Sequence, residues 1–184
     1  GGDETFAGYR RYLWANDMGR FDWLPDWARQ GLFGWPGSLL PGGVKGKGTL
    51  QHLSKSPFER YAGLNTFAGD SYLQNVLPSA FLASMNSRQG LVGFSAMRRY
   101  YDDCLAHDYL TRIQHVDTKT YLAEDILTKV DRASMMCSLE TRAPLLDHEI
   151  VELAARIPSG LKLKNGETKY ILKKAMEGLL PDNI

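Results

Sequence analysis

The apolar residues Leu122, Ile126, Val130, Ala133 and Cys137 recur every three or four positions, a spacing that fits one face of a helix. Asp125 and Lys129 stand four apart on the polar side, with the acid nearer the N-terminus, which supports the same helix over 122–139. The helical period returns elsewhere. Phe6, Tyr9 and Tyr12 or Leu13 predict a helix over 3–16, opened by Asp3 and Glu4 where the helix dipole favours negative charge. Short helices are predicted over 58–67, 96–106 and 109–116. Asp147 is placed to cap a helix that runs through Arg156 and that Pro158 ends. Asn165-Gly166 predicts a turn, and 167–180 reads as a last amphipathic helix stopped by Pro181. Residues 20–50 are punctuated by Pro25, Pro36, Pro41 and Gly42-Gly43, with Trp23, Trp27 and Trp35 among them, and predict short helices laid over a core. Strand signals are few, so the expected fold class is mainly α in this window.

With 184 residues the chain is long enough for one domain with an apolar core. Lys plus Arg number 22 against 21 Asp plus Glu, a net charge of +1, which argues against a dedicated nucleic-acid binder. Hydrophobic residues at 43% and charged residues at 23% match a globular composition. No run approaches the roughly 18 apolar residues of a membrane span. Cys104 and Cys137 suit neither a CxxC metal site nor a disulfide framework, so a reducing, cytoplasmic setting is expected. The opening Gly1-Gly2-Asp3-Glu4 carries no methionine, basic start or apolar run, and is read as a window on a longer polypeptide.

Several motifs fail. A phosphate-binding GxxxxGK[ST] loop ending at Gly46-Lys47 would need Gly at Pro41 and Ser or Thr at Gly48. His52, His107, His115 and His148 share no metal-ligand spacing, and no GxSxG elbow occurs. Three clusters remain. Asp3 and Glu4 follow glycines at a helix start, where acids can hold a hard cation or serve as ordinary dipole partners. Arg142 stands between Glu140 and Asp147, just before Pro144, and suits either an anion clamp or an internal salt bridge. Lys169 falls in the first turn of its predicted helix, where the dipole disfavours a cation and an anionic ligand would justify one.

Taken together, GGDETFAGYRRY, then DTKTYLAEDILTKVDRASMMCSLETRAPLLDHEIVELAARIP, then NGETKYILKKAMEGLLP, resemble the synthetase domain of glutamine-hydrolysing asparagine synthetases. Relatives include the β-lactam synthetases and other ATP-dependent amide-forming enzymes. The likeness is dense at 1–12 and 117–181 and looser between, where Phe58-Glu59-Arg60-Tyr61 echoes the bacterial members. The resemblance implies the helical C-terminal lobe of an α/β ATP-pyrophosphatase (adenine nucleotide alpha hydrolase-like) synthetase domain. It further implies that ATP activates a carboxylate, aspartate in the type enzymes, as an acyl-adenylate, and that ammonia from glutamine then attacks to give asparagine, AMP and pyrophosphate.

By the same resemblance Asp3 is the Mg2+-binding acid and Glu4 supports its loop beside the ATP site. Lys169 faces the pyrophosphate and the reacting centre. Arg142, with Glu140 and Asp147, braces the active-site corner and reaches substrate, and Lys129 and Asp131 lie on a helix facing the pocket. The family's S-G-G-x-D-S loop and its glutaminase domain have no counterpart in residues 1–184, so these residues are expected to form a partial synthetase domain, inactive alone. The expected partners are small-molecule substrates and a glutaminase domain elsewhere, with homodimerisation or self-association through exposed apolar surface, and neither nucleic acid nor membrane. The alternatives are a related amidotransferase acting on another carboxylate, or a non-catalytic helical module that binds a partner through Trp14, Trp23, Trp27 and Trp35.

Overall fold

The computed structural model describes residues 1–41, 43–65, 72, 75–86 and 94–181. The helices whose bounds fall within the described residues include α1 (Gly2–Thr5), α2 (Arg10–Met18), α3 (Asp26–Arg29), α4 (Trp35–Leu39), α5 (Lys47–Leu53), α6 (Pro57–Leu64), α7 (Ser79–Asn86), α8 (Ser95–Asp103), α9 (Tyr109–Asp117), α10 (Thr128–Met135), α11 (His148–Arg156), α12 (Ser159–Lys162) and α13 (Tyr170–Met176). Among the described residues β-pairing is confined to two isolated bridges, Lys164 with Glu167 and Glu177 with Leu180, so the chain is mainly α as its periodicity predicts. No helix among them is long and apolar enough to cross a membrane. The chain divides into two compact units: Gly1–Leu13 with Tyr100–Ile184, and Trp14–Arg99.

The first unit is built on a rod. α9 runs without a break through a wide π-type segment, Thr118–Leu127, into α10. Asp108 caps its start by accepting from Thr111 N at 2.8 Å. Leu110, Ile113, Val116 and Leu122 on the rod are buried, as are Phe6, Ala7, Tyr12 and Ala154. The rod starts earlier and stops earlier than the predicted 122–139: Ser138 takes φ +54°, and Leu139 N–H turns back to Ser134 O at 3.0 Å.

Two further expectations are corrected here. The predicted helix over 3–16 is two helices, α1 and α2. Ala7 adopts φ +58°, and Gly8 N–H returns to Asp3 O at 2.8 Å, the long reverse bond that closes a helix C-terminus. The predicted helix over 167–180 shrinks to α13, because Lys169 takes φ +54° and Gly178 takes φ +77° on either side of it. The Asn165-Gly166 turn is as predicted: both residues are left-handed, and Lys164 and Glu167 exchange backbone bonds of 3.1 and 2.8 Å across it. Asp147 caps α11 by accepting from Glu149 N at 2.9 Å.

The second unit buries Ala15, Leu53, Phe58, Tyr61 and Ala62. Its α6 starts in a reciprocal cap between Ser56 and Glu59 and ends at Leu64, short of the predicted 67; Phe67 itself lies outside the described residues, as does Gly42. α8, whose first residues belong to this unit, ends at Asp103 rather than 106. The tryptophan segment is more regular than predicted. A π-type turn, Gln30–Gly34, joins α3 to α4 and widens the helix just before Pro36, whose missing N–H would interrupt a regular ladder.

Candidate functional site

α1 is four residues long, and its acids part company. Asp3 turns outward with 40% of its side chain exposed, and its Oδ1 lies 2.8 Å from Lys169 Nζ. Glu4 turns inward, 1% exposed, and accepts a hydrogen bond from the Tyr9 hydroxyl. Burial and the Glu4 carboxylate together drive the Tyr9 phenol well above its usual range, so Tyr9 stays a donor. Arg11 stacks over the rings of Tyr9 and Tyr121 and pairs with the buried Asp117 at 2.7 Å. Tyr12 also donates to Asp117.

Lys169 reaches Asp3 for a reason the sequence conceals. It is the residue before α13, in left-handed conformation, and not part of the first turn as predicted. The turn at Asn165-Gly166 and this second reversal aim the side chain back toward α1. Its ammonium is therefore balanced by Asp3, and the same residue also lines an open groove of about 610 Å³ with Leu172, Lys173, Met176 and Leu180. Lys173 is paired with Glu167 at 2.9 Å.

Gly8 makes the pair sterically feasible. A Cβ there would lie 2.0 Å from Asp3 Oδ1 and 2.2 Å from Lys169 Cε. Sequence reading missed this glycine. Its one signal was its position four residues after Glu4, within the dense first motif. Glycines at the chain start pack similarly: a Cβ on Gly1 would meet Leu146 at 2.8 Å, and one on Gly2 would meet Leu145 at 2.7 Å. The turn Pro144–Leu146 thus sits directly on α1.

The remaining predicted site residues are dispersed. Arg142 is 85% exposed and pairs with Glu140, itself exposed. Asp147 is occupied as the α11 cap. Lys129 pairs with Asp125 at 3.5 Å on the exposed side of the rod, and Asp131 is exposed. Among the described residues no hydrogen bond or ion pair links Arg142, Glu140, Asp147, Lys129 or Asp131 to Asp3 or Lys169.

Missed altogether were Gln114 and Lys162, both buried behind α1. Gln114 Nε2 donates to the carbonyls of Glu4 at 2.6 Å and Thr5 at 3.1 Å, and its Oε1 accepts from Lys162 Nζ at 3.1 Å. A cavity of about 520 Å³ opens beside them, floored by Gln114 and Lys162 and walled by Leu105, Val151 and Ala154.

Magnesium can be tested against this donor set. Among the described residues no three His, Cys, Asp or Glu side chains gather into a cage. A lone outward carboxylate beside a lysine suits a hard cation that keeps its waters and shares the phosphates of a nucleotide, which is the usual habit of Mg2+. The residues present fit that mode.

A mainly helical chain of this kind is part of an ATP-pyrophosphatase-type synthetase domain. More narrowly, it belongs to the asparagine synthase family, whose profile it matches over residues 1–184. It is 30% identical to asparagine synthetase [glutamine-hydrolyzing] 1 of Bacillus subtilis over 184 residues, all of this chain and 28% of the relative. A Mycobacterium tuberculosis protein provisionally named as an asparagine synthetase [glutamine-hydrolyzing] is 35% identical over 185 residues, again all of this chain and 27% of that protein. A stretch of 60 residues, 33% of the chain, is 47% identical to asparagine synthetase [glutamine-hydrolyzing] 3 of Bacillus subtilis, covering 10% of it. The chain thus spans just over a quarter of the length of the first two relatives. No solved structure matches it.

Proposed function

We propose that these residues form the phosphate-facing wall of an ATP-dependent, amide-forming ligase. It adenylates a carboxylate, with aspartate the favoured substrate, and passes ammonia from glutamine to it, giving asparagine, AMP and pyrophosphate. The observation that carries this reading is the Asp3–Lys169 pair at 2.8 Å, held against a glycine and partly exposed. In this reading Asp3 would hold the cation and Lys169 would face the phosphate oxygens of a magnesium nucleotide. Mg2+, when bound by Asp3, supplies neutralisation of phosphate charge. Lys169 stabilises the charge that builds on departing pyrophosphate, and Glu4, locked to Tyr9, keeps α1 in place. Arg142, exposed beside Glu140, is the anion clamp that we assign to the substrate carboxylate or a phosphate. Lys129, Asp131, Glu140 and Asp147, which among the described residues make no hydrogen bond or ion pair with Asp3 or Lys169, are assigned to the ATP-facing side on the family resemblance alone.

The S-G-G-x-D-S loop and the glutaminase function are supplied from other parts of the polypeptide, so residues 1–184 alone are inactive, and the enzyme works in the cytoplasm. The test is pyrophosphate release by the full-length polypeptide from ATP and Mg2+ with aspartate and ammonia, repeated with other carboxylates and with Lys169→Ala. Aspartate-dependent release that collapses in the variant supports the reading. Release with a different carboxylate keeps the mechanism and moves the substrate; release with none of them sinks it.

A specific observation favours one second reading. Trp23 and Trp27 are each 78% exposed and Trp35 69%, an aromatic surface of the sort that contacts other proteins. On that reading the second unit is an interaction module, through which homodimerisation would occur.

A further inference from the structure

The carbonyls of α1 can be accounted for one by one. Gly1 O accepts from Thr5 N at 3.1 Å and Gly2 O from Phe6 N at 3.1 Å, while Asp3 O accepts from Gly8 N at 2.8 Å. Glu4 O and Thr5 O, the last of this short helix, find no backbone donor among the described residues. Both are satisfied by one side chain, the carboxamide of Gln114 on α9. A carboxamide can present either end, and its wrong end would set oxygen against two carbonyl oxygens. Lys162 removes that freedom. In its protonated form Lys162 has donors and no acceptor, so its contact at 3.1 Å sets Oε1 toward α12 and Nε2 toward α1. Lys162 is 2% exposed and Gln114 5%, so the contact between them is made almost wholly inside the unit, at the floor of the cavity described above.

We propose that Lys162 is a positioning residue for the Asp3–Lys169 pair, acting through the Gln114 carboxamide that caps the helix carrying Asp3. This inference rests on the phosphate-side reading of that pair. A lysine that far inside is costly to bury, and burial holds its amine down to about 8. An apolar residue would fill the same space without that cost, yet could not orient Gln114.

The experiment uses the full-length polypeptide and two readouts. In Lys162→Met, amide hydrogen exchange at Thr5, Phe6 and Gly8 should quicken by about tenfold, the worth of one lost buried cap, while α6 and α10 keep their rates. Because that readout needs no catalysis, it decides the relay even where no carboxylate yields pyrophosphate and the proposed function falls. In the pyrophosphate assay the Mg2+-ATP concentration for half-maximal rate should rise about tenfold in Lys162→Met, with kcat changed less. Lys162→Arg, which keeps the donors, should recover most of it. In an Asp3→Asn background Lys162→Met should add nothing further, as expected for residues acting in one chain. Should Lys162→Met fail to fold, Gln114→Glu leaves Lys162 a partner while removing both donors to α1, and must loosen the same three amides. Unchanged exchange at those amides, uniform quickening across the rod as well, or a full additive loss over Asp3→Asn each overturns the proposal.

Discussion

Each unit buries charge, and the two bury it to different ends. In the second unit Arg29 and Arg60, both almost wholly buried, converge on Asp22, and Arg60 also donates to Met18 O at 3.2 Å. The guanidinium groups tie α3, α6 and the end of α2 together around Asp22, and Arg29 also pairs with Asp26, so this network reaches solvent at a carboxylate whose cation is itself buried. In the first unit Lys162, Gln114 and Glu4 are as deeply placed, but their contacts lead outward through α1 to Asp3 and Lys169, which are 40% and 31% exposed. Buried charge by itself does not mark a site. A buried network that terminates in an accessible pair of opposite charges is a better mark, since it holds groups still where a ligand can meet them.

The largest test of this contrast sets Lys169→Ala against Arg60→Met in the full-length polypeptide. Lys169→Ala should cut pyrophosphate release by roughly a hundred- to a thousandfold, with little change in the unfolding midpoint. Arg60→Met should do the reverse: chemical denaturation should show a loss of about 3 kcal/mol from a disrupted buried pair, with the rate per folded molecule preserved. Equal effects of the two variants on both readouts would erase the distinction. Next comes Gly8→Ala. Its methyl would displace Asp3 or Lys169, and a misplacement of that size is expected to cost on the order of a hundredfold in the same assay. Asp147→Ala should cost about 1 kcal/mol of stability through the lost α11 cap, and a rate loss beyond that would place Asp147 in the site as well as at the helix end.

The smallest effect is a pH dependence. Lys162 titrates near 8 when folded, against 10.5 for an ordinary lysine. Between those values the unfolded chain binds the extra proton, so stability from this group rises with pH over about 8 to 10.5 and is lower at neutrality. The melting temperature of Lys162→Met minus that of the parent should therefore fall across the same window. A flat difference would mean that Lys162 is ordinary in the folded state.

Much of the helical frame was legible because it obeys local rules. The helix predicted over 109–116, the Asp147 cap and the Asn165-Gly166 turn each depend on residues within a few positions, whereas the wide π-type segment Thr118–Leu127 that joins that helix to the next was not foreseen. Three of the misplaced boundaries share one cause. Ala7, Ser138 and Lys169 adopt left-handed backbone without being glycine, so composition gives no sign of where those helices break. Long-range partners were equally hidden. Lys162 follows Pro158 with no local signal of burial, and only packing shows that its ammonium ends beside Gln114, 48 positions away. Lys169 was singled out for the wrong local reason, a first-turn cation, although its contact with an acid lay at the opposite end of the sequence.

Gly8 has a consequence for reading other chains of the family. Its hydrogen atom is in effect a gauge on the Asp3–Lys169 contact, since any carbon put there would occupy the space that the two side chains share. A relative that keeps the aspartate and the lysine but carries a larger residue at this position cannot hold them as this chain does. Sorting sequences by that single position should therefore divide those with a closed ion pair in the resting state from those whose acid and base stand apart, even when every charged residue is retained.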